Sequence, residues 1–295
     1  MSEAKGMTKI MKIVVGGQHK RRNLIVLILI ILVVLIGWIF WTNMHFTSTH
    51  LSIINDKIPK DFYGYKIAVV SDLHNHDWNG KLTEQLQKEA PDIIVITGDF
   101  VDSSHTDFGV AKKFIYEARD IAPIYYVTGN HEAWLDNYDD LHKLLLDAGV
   151  HIMDDKCELI KKGNSNINII GIQDPDFVER DTMGGIQGAI VETKMEPLLD
   201  KKMYNIVLCH RPELFDNYVA LGADLVLAGH AHGGQIRIPF IGGLIAPNQG
   251  FFPKYTEGVY HKEKTDMVVS RGLGNSIIPV RINNTPELLI VTLGK

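Results

Sequence analysis

Five stretches of the chain repeat one pattern, in which a run of β-branched and other apolar residues stops abruptly at a cluster of Asp, His, Asn and Gly. They are YKIAVVSDLH (65–74), DIIVITGDF (92–100), IYYVTGNHE (124–132), NIVLCHRPE (205–213) and ADLVLAGHAH (223–232). Short Val- and Ile-rich runs predict buried strands, and GKLTEQLQKEA and LDNYDDLHKLLLDAG, with their helical spacing of Leu residues, predict helices between the early ones. Strands alternating with helices give a layered α/β domain, and in such sheets ligands gather beyond the carboxyl ends of the strands. All five polar clusters fall there.

A different pattern precedes them. Residues 24–41, LIVLILIILVVLIGWIFW, carry no charge and only Gly37 stands outside the large apolar set. A helix of that length covers about 27 Å, close to the hydrocarbon thickness of a bilayer. An apolar surface on every side, tipped by Trp38 and Trp41, predicts a transmembrane helix rather than a core helix. The HKRR cluster before it predicts a cytoplasmic residue 1–23 segment and an extracytoplasmic remainder. No small-x-small cleavage pattern follows, so the segment reads as a retained signal anchor, although RRNLI loosely resembles a twin-arginine export signal. The expected organisation is a basic cytoplasmic segment 1–23, a membrane helix 24–41, a linker 42–62 and one domain, 63–295.

Composition narrows the classes. At 45% hydrophobic and 22% charged over 295 residues, the chain is neither disordered nor collagen-like nor multi-pass. Its formal charge of -5 conceals six Lys or Arg against one acid in residues 1–23, which leaves -10 on the rest. That sign disfavours a nucleic-acid partner. Two cysteines, Cys157 and Cys209, form no CxxC motif, so the chemistry rests on His, Asp and Asn.

The clusters share one chemistry. Asp72 and His74 alternate with Leu73, and His230 and His232 with Ala231; on extended backbone each pair would project to one side. Asp99 follows Gly98, Asn130 offers a neutral amide oxygen, and His210 ends a run of its own. This mixed N and O donor set suits zinc, iron or manganese and is poor for calcium.

In order along the chain, DLH, GD, GNHE, H and GHAH resemble the signature of the calcineurin-like metallophosphoesterases over about residues 65–235. The tail VVSRGLGNSIIPVRINNTPELLIVTL resembles the closing strands of the bacterial membrane-anchored or exported members. The resemblance implies a four-layer α/β/β/α sandwich and two divalent metal ions, Mn, Zn or Fe, that share Asp99. The first would take Asp72, His74 and His232, and the second Asn130, His210 and His230. It implies a hydrolase in which a metal-bridging hydroxide attacks phosphorus, His131 protonates the leaving group and Asp102 orients His131. Two divalent cations against Asp72, Asp99 and a bridging hydroxide leave about one positive charge, which matches a phosphodiester anion.

Two departures bear on the substrate. Protein phosphatases of the superfamily continue GDFVD with Arg and Gly, whereas Ser103 and Ser104 stand here, which tilts the reading from monoesters to diesters or pyrophosphate linkages. Arg211, Arg271 and His76 are the candidate phosphate contacts that could compensate. The second departure is the loop over residues 233–256, which carries Ile241, Leu244, Ile245, Phe251 and Phe252. It reads either as a lid packed on the sheet edge or as a lip for a lipid-linked or cell-envelope substrate. A phosphomonoesterase, and a binding module that keeps metals without turnover, are the competing functions.

Overall fold

The computed structural model describes residues 2–178, 186–275 and 278–295, with residues 2–20 described by backbone alone. Strands follow in chain order as β1 (Thr47–Ile54), β2 (Lys66–Val70), β3 (Ile93–Thr97), β4 (Ile124–Val127), β5 (His151–Ile152), β6 (Lys156–Lys162), β7 (Ser165–Gly171), β8 (Asn205–Leu208) and β9 (Leu225–Ala228). Four two-residue pieces come next: β10 (Arg237–Ile238) with β11 (Gly242–Gly243), and β12 (Ile245–Ala246) with β13 (Gly250–Phe251). β14 (Gly258–Lys262), β15 (Thr265–Val269) and β16 (Glu287–Gly294) complete the set.

Two six-stranded sheets result, in the orders β1-β16-β2-β3-β4-β5 and β14-β15-β9-β8-β7-β6. Strands β2 to β5 run parallel, as do β7, β8, β9 and β15. Alternation along each strand sorts side chains into layers. Ile67, Val69, Ile93 and Val95 of the first sheet meet Ile167, Ile169, Ile206 and Leu208 of the second in one buried cluster between the sheets. The intervening residues Ala68, Val70, Ile94 and Ile96 face outward and are covered by helices α2 (Lys81–Glu89), α3 (Phe108–Ala118) and α5 (Tyr138–Asp147), the short α4 (Asn130–Ala133) lying between the last two in the chain. Ile170, Val207 and Val226 are covered in the same way by α6 (Ile186–Met195) and α7 (Phe215–Leu221). The four-layer α/β/β/α sandwich is present.

The covering helices have the apolar spacing their role requires. Leu82 and Leu86 in α2, and Leu141 and Leu145 in α5, lie four apart and are buried. In α3 the buried positions are Ala111, Phe114, Ile115 and Ala118, and the Asp107 side chain caps the helix by accepting from the Gly109 N–H.

Helix α1 runs without a break over Ser2–Asn43. Its segment Arg21–Asn43 is long and apolar enough to cross a membrane; its most apolar 18-residue stretch has a mean hydropathy of 3.3 and is covered by no other described part of the protein. Within the expected linker 42–62, residues Thr47–Ile54 form β1, paired in parallel with β16. The alternation in TSTHLSII is that of an edge strand with one wet face, which a search for apolar runs passes over.

Candidate metal centre

The strands that carry the polar clusters end before the clusters begin. Strand β2 stops at Val70, β3 at Thr97, β4 at Val127, β8 at Leu208 and β9 at Ala228. The extended alternation expected for Asp72 with His74, and for His230 with His232, is therefore absent: φ is 49° at Asp72, 46° at His74, 49° at Asp99, 66° at His230 and 47° at His232. These are left-handed conformations that residues with a side chain adopt at a cost, and such strain gathers at functional sites. The turns, rather than a pleat, bring the side chains together.

Local and long-range hydrogen bonds hold the turns. The His230 N–H donates to Asp72 Oδ1 at 3.0 Å, and the Ser71 hydroxyl donates to Asp72 Oδ2 at 2.5 Å. The His210 Nδ1–H donates to the Thr97 carbonyl at 2.8 Å, which ties the second sheet to the first and turns Nε2 to Asp99 Oδ2 at 3.1 Å. Two glycines permit this approach. A Cβ on Gly98, at φ +87°, would lie 2.6 Å from His210 Nδ1, and one on Gly229 would collide with Ser71 Oγ.

Two buried groups of donors share Asp99. Asp72, His74, Asp99 and His232 each offer a ligand atom, all within 4.8 Å of one another, and Asp99, His210 and His230 do the same. The imidazole nitrogens face each other: His74 Nε2 lies 3.2 Å from His232 Nε2, and His230 Nδ1 lies 3.1 Å from His210 Nε2. Asn130 is buried beside Asp99, and its Oδ1 has no hydrogen-bond partner. A buried amide oxygen without a donor is costly unless a cation takes its lone pair. Crowded nitrogens, carboxylates and an orphaned amide oxygen are the donor set of divalent transition-metal sites.

Electrostatics divides the histidines. Burial, with Arg211 nearby, holds the His230 ring well below its ordinary pKa; burial, with His74 and Arg281, does the same to His232. Both are neutral donors. At His210 burial is outweighed by Asp99, which raises the ring to about 10, so a proton occupies that ring in the absence of a cation.

His131 is buried, and its N–H donates to Asp99 Oδ1 at 2.9 Å. Its Nδ1 accepts from the Ser103 N–H at 3.1 Å and lies 3.1 Å from Ser103 Oγ. A neutral ring so held carries its hydrogen on Nε2. Asp102 Oδ2 is 3.9 Å from His131 Nδ1 and nearer, at 3.5 Å, to His74 Nδ1, while Oδ1 accepts from Ser104 and His105. Ser103, not Asp102, is thus the direct partner of the His131 ring among these contacts.

The three proposed phosphate contacts are placed differently from the donor groups. Arg211 is buried, with Nε and Nη2 forked onto Asp174 at 2.6 and 2.8 Å, Nη2 also 3.1 Å from Asp176, and Nη1 3.7 Å from Glu213. Only its Nη1 turns to the centre, 3.4 Å from His230 Nε2. Arg271 is drawn to Glu287 at 2.9 Å and Glu257 at 3.4 Å. His76 packs on Trp78 with ring centroids 4.3 Å apart, outside the donor groups.

Two residues that sequence reasoning gave no role complete the centre. The buried Glu132 carboxylate accepts the N–H groups of Asp99, Phe100, Val101 and Gly129 at 2.9, 2.7, 3.2 and 2.7 Å, clamping two ligand turns together. The acid after GNH was visible, but three of its four partners, Asp99, Phe100 and Val101, are 31 to 33 residues away. Arg281, 1% exposed, places Nη2 3.2 Å from His232 Nδ1 and donates from it to the Gly274 carbonyl at 2.6 Å. Nothing local in VRINN signals this.

A family model described as calcineurin-like phosphoesterase matches residues 65–234. The uncharacterized metallophosphoesterase YkuE of Bacillus subtilis is 29% identical over 255 residues, covering 83% of this chain and 85% of that protein. Phosphodiesterase YaeI of Escherichia coli is 25% identical over 210 residues, 70% of this chain and 72% of its own length. A Danio rerio protein named transmembrane protein with metallophosphoesterase domain is 25% identical over 250 residues, 81% of this chain and 55% of that one.

Proposed function

The chain belongs to the calcineurin-like phosphoesterase family, and from that premise we propose that it is a membrane-anchored, metal-dependent phosphodiesterase. The basic segment 1–23 lies in the cytoplasm, residues 24–41 span the bilayer and the domain works on the outer side, as the HKRR cluster directs. Asp72, His74, Asp99 and His232 would hold one divalent ion, and Asp99, Asn130, His210 and His230 the other. The observation that carries the reading is the orphaned Asn130 Oδ1 beside two facing imidazole pairs. Bound there, manganese, zinc or iron supplies Lewis acidity and the means to draw a nucleophile from water at neutral pH.

The chain's own groups do the rest. His131, its Nδ1 taken by the Ser103 N–H, presents the Nε2 hydrogen to the leaving oxygen. Asp72 and Asp99 keep the net charge low enough for a monoanionic phosphorus centre. The preference for diesters is supported by the arginines: Arg211 is paired through Nε and Nη2 with Asp174 and Asp176 and turns only Nη1 to the centre, and Arg271 is paired with Glu257 and Glu287, so little unpaired positive charge is left to meet a second phosphate charge.

The test compares hydrolysis of bis-p-nitrophenyl phosphate and p-nitrophenyl phosphate by the full chain with manganese, with zinc and after chelation. Faster diester cleavage that chelation abolishes supports the proposal. Faster monoester cleavage overturns the reading of the arginines, and no turnover by folded, metal-loaded protein favours the binding module.

A further inference from the structure

The membrane-type helix is not joined to the domain by a slack tether. Asn43, its final residue, exchanges two hydrogen bonds with the backbone of Arg281, and three residues separate it from β1. The strip around Arg281 is in turn bonded to the loop after GHAH. The Gln235 side chain donates to the carbonyls of Ile278 and Val280 at 2.8 and 2.9 Å, and the Arg237 N–H donates to Ile282. The β10–β11 and β12–β13 hairpins therefore stand on the same platform as the end of the helix.

That platform is studded with uncovered apolar side chains. Phe240, at the β10–β11 turn, is fully exposed, Ile241 is 64% exposed, and Phe251 and Phe252 on the second hairpin are 71% and 62% exposed. Ile278 and Val280 on the adjoining strip are exposed too, as are Phe40, Trp41 and Met44 at the helix end. A soluble surface rarely gathers so many, and an apolar set contiguous with a membrane helix matches the bilayer interface. The lid reading of this loop requires packed tips, and these are not packed.

Between the second hairpin and Ile278 lies an open cavity of about 370 Å³, lined by Ile245, Ala246, Pro247, Asn248 and Ile278, with His232 among its walls. Hydrocarbon lining leads from the exposed tips to a residue of the donor groups.

We propose that the two hairpins form a lip seated in the bilayer interface, and that the substrate is an amphiphilic phosphodiester taken from the membrane. Its hydrocarbon part occupies the cavity and its phosphorus reaches the donor groups beside His232. This rests on the phosphodiesterase reading above. In the reaction the oxygen of water bonds to phosphorus, one P–O ester bond breaks, and the departing oxygen takes up a proton to leave as an alcohol. The products are that alcohol and a phosphomonoester.

The test uses the full chain in dodecyl maltoside micelles with ethyl p-nitrophenyl phosphate and hexadecyl p-nitrophenyl phosphate, which share one scissile bond and differ in the tail. The expected result is a kcat/KM at least tenfold higher for the hexadecyl ester, with that ratio falling towards one in the F251S/F252S double variant. Equal rates on both esters in the native chain overturn the proposal while leaving the phosphodiesterase reading intact. A second measurement does not depend on activity. A nitroxide on Cys introduced by Phe252→Cys, in a Cys157→Ser background and in phosphatidylcholine vesicles, should relax with oxygen and be shielded from aqueous chromium oxalate. Free access of chromium oxalate removes the lip from the bilayer. If neither ester is cleaved, the phosphodiesterase reading fails, and the nitroxide alone decides the lip.

Discussion

The side chain of Asn43 pairs with the backbone of Arg281 as a neighbouring strand would: Nδ2–H donates to the Arg281 carbonyl at 2.8 Å, and the Arg281 N–H donates to Asn43 Oδ1 at 2.8 Å. The Arg281 guanidinium then reaches His232. A single residue thus separates the membrane-type helix from a histidine of the candidate metal centre. Asn43→Ala removes both bonds and should lower unfolding free energy in urea by about 2 kcal/mol in the detergent-solubilised chain. Asn43→Asp, which keeps the acceptor, should lose about half as much.

Arg281→Met keeps the length of the side chain and removes its donors. Outer partners of metal ligands typically matter 10- to 100-fold in metal affinity. Chelator competition should therefore show about a tenfold or greater loss at the first site, with the second retained. Equal loss at both sites would instead point to general misfolding.

Glu132→Ala should be the most damaging single change at the centre outside the donors. It strips four buried N–H groups of their acceptor, and leaving such groups unpaired costs about 1–3 kcal/mol each before relaxation. We expect at least ~3 kcal/mol lost in urea unfolding of the metal-free protein, so the loss does not depend on bound metal.

Metal binding at the second site should release the proton held on His210. Its ring, held at about 10 by Asp99 despite burial, is protonated when metal-free, and a metal needs the lone pair. Affinity at the second site should therefore rise with pH, tenfold per unit below about 10, and calorimetry at pH 7.5 in buffers of different ionisation enthalpy should report at least one proton released. His230 and His232, already neutral, add none.

His131→Ala should lower kcat for a diester with an alkyl leaving group by about 10²- to 10⁴-fold and affect a p-nitrophenyl diester far less, because a good leaving group needs no proton. Asp102→Asn should change that ratio little, since Ser103 is the group that holds the ring.

The sequence made the layers and the donors legible because both are local. Val- and Ile-rich runs announce β2, β3, β4, β8 and β9, and residues able to bind metal follow each within a few positions. How the donors meet was not legible, because period-two projection describes a strand and Asp72, His74, Asp99, His230 and His232 lie in left-handed turns. β1 was hidden in a polar-looking segment because only one of its faces is dry. Glu132, Ser103 and Arg281 act through partners 28 to 49 residues distant, and a pattern read along the chain has no term for such separations.

One pairing has a consequence for synthesis. Strand β16 lies between β1 and β2, so residues 287–294 join residues 47–54 to residues 66–70. The first sheet cannot close behind the ribosome as its early strands emerge; it must wait for β16, with contacts that span some 240 residues. In the membrane-anchored chain proposed above, the anchor is in place during that interval while the edges of β1 and β2 remain unpaired. Such a chain passes through a stage in which it is fixed to the membrane and still open, and quality-control proteases and chaperones at that membrane would meet it in that form.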